Sequence, residues 1–152
     1  MSDQVSVERE IAAPPEQVWP LVAEVTRMGE WSPETVKCEW TGGSTGPEVG
    51  ATFRGSNRVG RRRWSTTCTV AEAEPGKVFA FEVAAGPLKV ARWEYRFEPT
   101  STGCKVTETW TDHRGRFLKL TGTLASGVSD RATHNRAGME QTLDRLAEAA
   151  TS

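Results

Sequence analysis

The middle of this chain constrains its fold more than any other part. Between residues 51 and 112, five segments read as β-strands: 51–58, 63–74, 77–85, 90–98 and 104–112. Apolar and polar side chains alternate along them with the two-residue period of a half-buried strand. The links are Val59-Gly60, Glu74-Pro75-Gly76, Ala85-Gly86-Pro87 and Pro99-Thr100-Ser101-Thr102-Gly103. Links this short cannot carry a crossover connection, so consecutive strands must pair antiparallel.

The flanks add helices. Val5, Val7 and Ile11 alternate with polar residues and predict a first strand, which Ala12-Ala13-Pro14-Pro15 stops. Proline suits the first turn of a helix, where its missing N–H has no partner anyway. Val18, Val22 and Val25 then follow at helical spacing, but Pro20 removes a backbone bond and clashes with the preceding turn. A short helix, or one kinked near Glu16, is expected. Residues 28–31 predict a second short helical turn, ended before Pro33, and 36–41 a short strand. Toward the other end, Ala132, Asn135, Met139, Leu143, Leu146 and Ala150 share one face of a long helix over 129–149, with Ser129 or Asp130 able to cap it. Phe117, Leu120, Leu124 and Val128 also have helical spacing, interrupted by Gly115, Gly122 and Gly127. That segment reads as a loosely helical lid. The order is α+β: a curved antiparallel sheet of about seven strands, two short helices after strand 1, and a long C-terminal helix against one face.

Composition narrows the function classes. At 152 residues the prior is one domain, 1–152, large enough to bury about 70% of the unfolded chain's surface. A formal net charge of -1 removes the usual electrostatic argument for nucleic acid as partner. The first ten residues carry charges where a leader peptide needs an apolar run, and no segment approaches the ~20 apolar residues of a membrane span. No integral membrane association and a cytoplasmic location are expected. Three widely spaced cysteines, Cys38, Cys68 and Cys104, do not form a disulfide framework.

Alternation sorts the strand residues onto two faces. The inward row carries Phe53, Trp64, Cys68, Phe81, Trp93, Tyr95 and Trp110, opposed by a polar outer face. The helix stripe above it is modest in volume. Two outcomes stay open: the aromatics fill a core, or they wall an apolar cavity with a few placed polar groups. In the second case Asn57, Tyr95, Glu108 and Asn135 are the polar groups. The candidate ligand-binding set is Trp31, Phe53, Asn57, Trp64, Cys68, Phe81, Trp93, Tyr95, Glu108, Trp110, Leu120, Leu124, Asn135 and Met139.

Glu108 is the one candidate catalytic residue. Alternation points it inward, where burial would raise its pKa and suit it to proton transfer. The competing and favoured arrangement is a rim position, solvated or paired with an arginine. Asp112-His113 and His134 lack metal-ligand spacing, so no metal and no cofactor are expected. Arg58, Arg61, Arg62 and Arg63 cluster at a hairpin tip and read as a solvated turn rather than an anion site. The glycine-rich 42–50 loop lacks the G-K-[ST] of a phosphate loop. Cys68 has no neighbouring histidine and reads as a small hydrophobe rather than a nucleophile.

These segments together resemble a known superfamily. The carrying motifs are Ile11-Ala12-Ala13-Pro14-Pro15-Glu16-Gln17-Val18-Trp19 and Trp31-Ser32-Pro33, then Val49-Gly50-Ala51-Thr52-Phe53-Arg54-Gly55. Trp64 leading to Val70, Glu74-Pro75-Gly76-Lys77-Val78-Phe79-Ala80-Phe81, Trp93-Glu94-Tyr95-Arg96-Phe97 and Asn135-Arg136-Ala137-Gly138-Met139 follow. In this order and spacing, over about residues 5–149, the chain resembles the START-like superfamily in its bacterial polyketide cyclase/dehydrase-like branch. The resemblance implies a helix-grip fold, with the sheet wrapped around the C-terminal helix and a deep apolar cavity between them. It implies a hydrophobic ligand: a lipid, sterol, polyketide or aromatic molecule. Relatives of this kind include binders, carriers and enzymes, and fold alone does not choose among them. Three expectations result. The first is a binder of a hydrophobic small molecule. The second is a polyketide cyclase or dehydratase using the same cavity. The third is a protein-interaction module whose cavity is filled by core side chains.

Overall fold

The computed structural model describes residues 4–128 and 130–152, without the side chains of residues 116, 117 and 125. The roles expected for the Phe117 side chain and for Ser129 as a cap lie outside the described residues. Seven strands form one sheet: β1 (Gln4–Ile11), β2 (Thr35–Thr41), β3 (Thr52–Val59), β4 (Arg62–Glu74), β5 (Val78–Ala85), β6 (Leu88–Thr100) and β7 (Gly103–Asp112). Every neighbouring pair is antiparallel, in the order β1-β7-β6-β5-β4-β3-β2. The short links do what their length requires. Gly60, with φ of +60°, takes the left-handed turn conformation that ordinary residues resist.

The sheet curves because its ladders are interrupted. Register shifts fall between Thr35 and Lys37 in β2, between Val70 and Glu72 in β4, and opposite Val83/Ala84 in β6. Each inserts an unpaired residue, which bends the strand and tightens its twist. Strict alternation could not anticipate these bulges.

Three helices and one 3-10 turn are the remaining elements among the described residues. α1 (Pro15–Ala23) runs through Pro20 as one helix. Pro20 is exposed and cannot bond back to Glu16, but the turn recovers when Glu24 N–H donates to the Pro20 carbonyl at 3.1 Å. A 3-10 turn occupies Val25–Glu30. α2 (Arg116–Ser126) is a regular helix, firmer than the loose lid expected. Its glycines explain the difference: Gly115 and Gly127 bound it, and Gly127 ends it with φ of +77°. α3 (Arg131–Thr151) is capped by the Asp130 side chain, which accepts from Thr133 N–H at 3.2 Å.

α3 packs differently along its length. Its C-terminal half buries Leu143, Leu146, Ala147 and Ala150 in a core that includes Ile11, Val18, Phe79, Phe97 and Val106. Each large aliphatic side chain buried this way contributes ~1.5–3 kcal/mol. α1 is pinned to this end. Gln17 Nε2 donates to the Ala150 carbonyl at 2.7 Å, and Trp19 Nε1 to the Val78 carbonyl at 2.8 Å. The N-terminal half of α3 presents Asn135, Gly138, Met139 and Thr142 instead, and leaves the sheet beneath it unfilled.

Gly103 closes the solid end. A Cβ there would lie 2.6 Å from the Ala13 backbone nitrogen and would also collide with the Ile11 carbonyl. Both obstacles are backbone and cannot move aside cheaply. Gly103→Ala is expected to cost about 3 kcal/mol of stability. Urea unfolding of the variant checks this, and an unchanged midpoint would contradict the packing described.

Candidate functional site

A cavity of about 790 Å3 lies between the inner face of the sheet, α2 and the N-terminal half of α3. All seven residues of the inward row border it, while the solid end of the sheet is filled by other side chains, Phe79, Phe97 and Val106 among them. Phe53, Phe81, Trp93, Tyr95 and Trp110 wall the cavity, and Asn57, Trp64, Cys68, Glu108, Asn135 and Met139 also line it. Trp93 and Trp110 are cross-strand partners with ring centroids 6.5 Å apart, inclined at 44°. Phe53 and Phe81 meet edge to face at 5.1 Å.

Three expected residues are placed elsewhere. Leu120 and Leu124 are 63% and 66% exposed on the outer side of α2. The helix turns Leu118, Thr121, Gly122 and Ser126 to the cavity instead. The apolar spacing was read correctly as helical, but spacing alone does not say which side of a helix faces in. Trp31 is buried in the core beside the cavity without lining it. Arg27 stacks over its ring at 5.0 Å, and Arg145 donates to its carbonyl at 3.2 Å.

Two buried acids, Asp112 and Glu108, and the half-buried Glu34 meet three different environments. Asp112 is held by Arg114 through three hydrogen bonds of 2.9–3.0 Å, from the backbone N–H, Nε and Nη2. Burial alone would raise its pKa, and the Arg114 bonds more than offset that, keeping it below the usual carboxylate range. Glu34, at the cavity mouth, accepts two hydrogen bonds from Arg131 at 2.7 and 2.9 Å. The same guanidinium lies over the Trp64 ring at 5.3 Å and donates to Asn135 Oδ1 at 3.3 Å. His134 Nε2 sits 3.9 Å from Glu34. Nothing in the sequence pairs Glu34 with Arg131, 97 residues away.

Among the described residues no cation pairs with Glu108, and its only hydrogen-bond partner is the Tyr95 hydroxyl, 2.9 Å from Oε2; Oε1 has none, and the side chain is 2% exposed. The rim position with an arginine partner, favoured from sequence, is thus corrected: β7 alternates without a bulge and carries Glu108 inward with Val106 and Trp110. Burial raises its pKa from the ordinary 4.5 to about 8, against a smaller lowering by the Tyr95 bond. The acid is therefore mostly protonated at pH 7.

Other candidates find structural roles. Burial pushes the Cys68 thiol up to about 12 and the Cys38 thiol to about 11, so neither supplies a thiolate near neutrality. Of the four hairpin-tip arginines, Arg62 donates to the Leu124 carbonyl and clasps the C-terminal end of α2 to the sheet, where a cation also suits the helix dipole. Arg58 bonds the Gly60 carbonyl at 2.7 Å and lines the cavity. His113 lies 3.6 Å from Glu82, away from His134 at the mouth. Among the described residues no three His, Cys, Asp or Glu side chains gather as a metal site, and no helix is long and apolar enough to cross a membrane.

A curved sheet gripping a C-terminal helix, with an apolar cavity held between them, defines a helix-grip protein of the START-like class. The chain belongs to the family described as polyketide cyclase / dehydrase and lipid transport, whose model matches residues 2–151. No curated protein matches it. Among solved structures, a polyketide-cyclase-like protein of Corynebacterium glutamicum is 34% identical, with 97% of this chain and 90% of that one covered and a TM-score of 0.66. Two more distant likenesses show the fold alone. A Chromobacterium violaceum protein is 13% identical, with 99% of each chain covered and a TM-score of 0.72. A protein in the dynemicin biosynthetic locus is 16% identical, with 99% of this chain and 48% of that one covered and a TM-score of 0.67.

The state of Glu108 makes stability depend on pH. Between about 4.5 and about 8 the folded protein holds a proton that the unfolded chain releases. Stability therefore falls as pH rises through that window and levels off above it. The loss from this group is up to roughly 5 kcal/mol. Urea unfolding at a series of pH values should show this fall in the parent and its absence in Glu108→Gln. Parallel curves for the two proteins would count against a neutral Glu108.

Proposed function

We propose that the protein binds one hydrophobic small molecule, of lipid, aromatic or polyketide-like character, in the cavity beneath the N-terminal half of α3. The observation that carries this reading is the cavity itself: about 790 Å3, walled by Phe53, Phe81, Trp93, Tyr95 and Trp110. Ligand sites for small molecules run to about 300–1,000 Å3 and are mostly apolar with a few placed polar groups. Flat rings set edge-on and tilted offer a ligand stacking contacts beyond simple burial of area. Family membership supports a hydrophobic cargo without choosing one. The protein-partner reading starts from a filled core and has less to rest on.

A second reading, a cyclase or dehydratase, has one specific observation behind it. Glu108 is buried, uncharged at neutral pH and beside Tyr95, the environment in which a carboxyl group can deliver a proton. Glu108→Gln separates the two readings: an enzyme keeps binding and loses turnover, and a binder has no turnover to lose.

Native mass spectrometry of gently purified protein, followed by tryptophan fluorescence titration with lipids, flavonoids and aromatic polyketides, tests the binding reading. Trp64, Trp93 and Trp110 line the cavity and report occupancy. Gly138 supplies the control. It lines the cavity from α3, and a Cβ there would meet Pro33 Cγ at 3.4 Å. Gly138→Leu is expected to keep the fold and weaken binding by roughly tenfold or more, about 1.4 kcal/mol. Unchanged affinity in a folded variant would argue against this cavity as the site.

A further inference from the structure

Glu108 and Tyr95 can be counted as hydrogen-bonding groups. A neutral carboxylic acid and a phenol bring two donor protons between them. Their mutual bond uses one, whichever partner donates across the 2.9 Å contact. One donor is left over. If Tyr95 donates to Oε2, the spare proton is on Glu108 Oε1; if Glu108 donates, it is the phenol's. Neither Oε1 nor the Tyr95 hydroxyl has a further partner among the described residues. Both side chains line the cavity.

The surroundings keep this pair uncharged. β1 places Val7 at the position paired with Glu108. β6 brings Tyr95 itself, the titratable group in contact. α3 contributes Asn135 and Met139 to the cavity, neither of them charged, and also Arg131 and His134, both of which lie beside Glu34. The charged group on the same face of β7 is Asp112, four residues further on, which Arg114 just beyond the strand neutralises. The arginines that line the rest of the cavity, Arg58, Arg114 and Arg131, make no bond to this pair, so at the pair itself an anionic ligand group would meet no cation and a cationic one no carboxylate. What the pair can satisfy is a neutral acceptor, on a molecule whose flat frame lies against Trp93 and Trp110.

We infer that the inner end of this cavity selects ligands carrying a neutral acceptor oxygen, such as the carbonyl of an aromatic ketone or quinone, through the one donor that the Tyr95–Glu108 pair leaves unused. The inference rests on the cavity-binding reading and adds to it the chemical class of the ligand. It also carries its own pH dependence. Ionised Glu108 leaves Tyr95 as the only donor of the pair, already spent on the carboxylate, so the preference disappears as pH rises past about 8.

The test uses two probes of one shape, 2-acetylnaphthalene and 2-ethylnaphthalene, titrated against the intact protein by tryptophan fluorescence. Neither probe titrates, so any pH effect belongs to the protein. At pH 6 the ketone should bind about tenfold tighter, the factor one additional satisfied hydrogen bond supplies. At pH 9.5 the ratio should fall toward one. Glu108→Gln, whose amide keeps a donor, should retain the preference at both pH values, and the double variant Glu108→Leu/Tyr95→Phe, which removes every donor of the pair, should lose it at both. Equal binding of the two probes at pH 6, or a ketone preference that persists in the parent at pH 9.5, overturns the inference and leaves the cavity reading standing. Failure of both probes to bind overturns both. If the double variant does not fold, the pH comparison on the parent decides alone.

Discussion

One helix has to cover the concave face of a seven-stranded sheet, and it is too narrow to do so. Seven strands spaced ~4.8 Å apart span roughly 30 Å. A helix with its side chains is ~10 Å across. The bulges in β2, β4 and β6 curl the sheet toward α3 and reduce the mismatch without removing it. Volume left over must be filled by other elements or remain as a cavity. At one end α1 and the leucines of α3 fill it. At the other, α3 turns to Asn135, Gly138 and Thr142, α2 bridges the gap from outside, and the space stays open.

The buried acids follow from that geometry. Taking a carboxylate out of water is costly unless a partner restores what hydration supplied. Asp112 and Glu34 lie near the open end of the sandwich, where long side chains can enter from a loop or from the start of α3, and each has an arginine. Glu108 sits deeper, between strands whose inward residues are Val106, Trp110 and Tyr95. No arginine reaches it, so the proton takes the place of the missing cation. The same depth that deprives Glu108 of a counter-ion gives the inner cavity wall its one uncharged polar pair.

Much of this was legible from the residues. The two-residue period identified the inward row, because a strand has only two faces and one of them here is aromatic. The short links fixed the strand order. Alternation put Tyr95 and Glu108 on the inward face of neighbouring strands, but their direct pairing depends on a tight Thr100–Gly103 turn where a five-residue link was expected, and a one-residue slip would have undone it. Other features had no such signal. A bulge residue such as Ala71 looks like any other strand residue. Trp31 has the composition of a cavity residue, but its place is decided by Arg27 and Arg145 packing around it. Leu120 and Leu124 failed for a different reason: the helix was there, and its rotation about its own axis is set by the Arg62 clasp and by Gly122, where a Cβ would stand 3.2 Å from Arg114. Long-range partners such as these are written into the fold and not into any local pattern.

The division of α3 into a solid half and an open half separates two demands that usually compete. Residues that hold the fold together, Leu143, Leu146, Phe79, Phe97 and Val106, do not touch the cavity. Those that shape the cavity, Cys68, Leu118, Gly138 and Met139, can change size with less effect on the stem that anchors the sheet to its helix. A fold built this way should tolerate wide sequence change, because burial pattern and register are all the stem requires. The Chromobacterium violaceum protein, 13% identical over 99% of each chain with a TM-score of 0.72, fits that expectation. The same separation lets the architecture be specified at one end of α3 while the lining of the cavity is free to vary at the other.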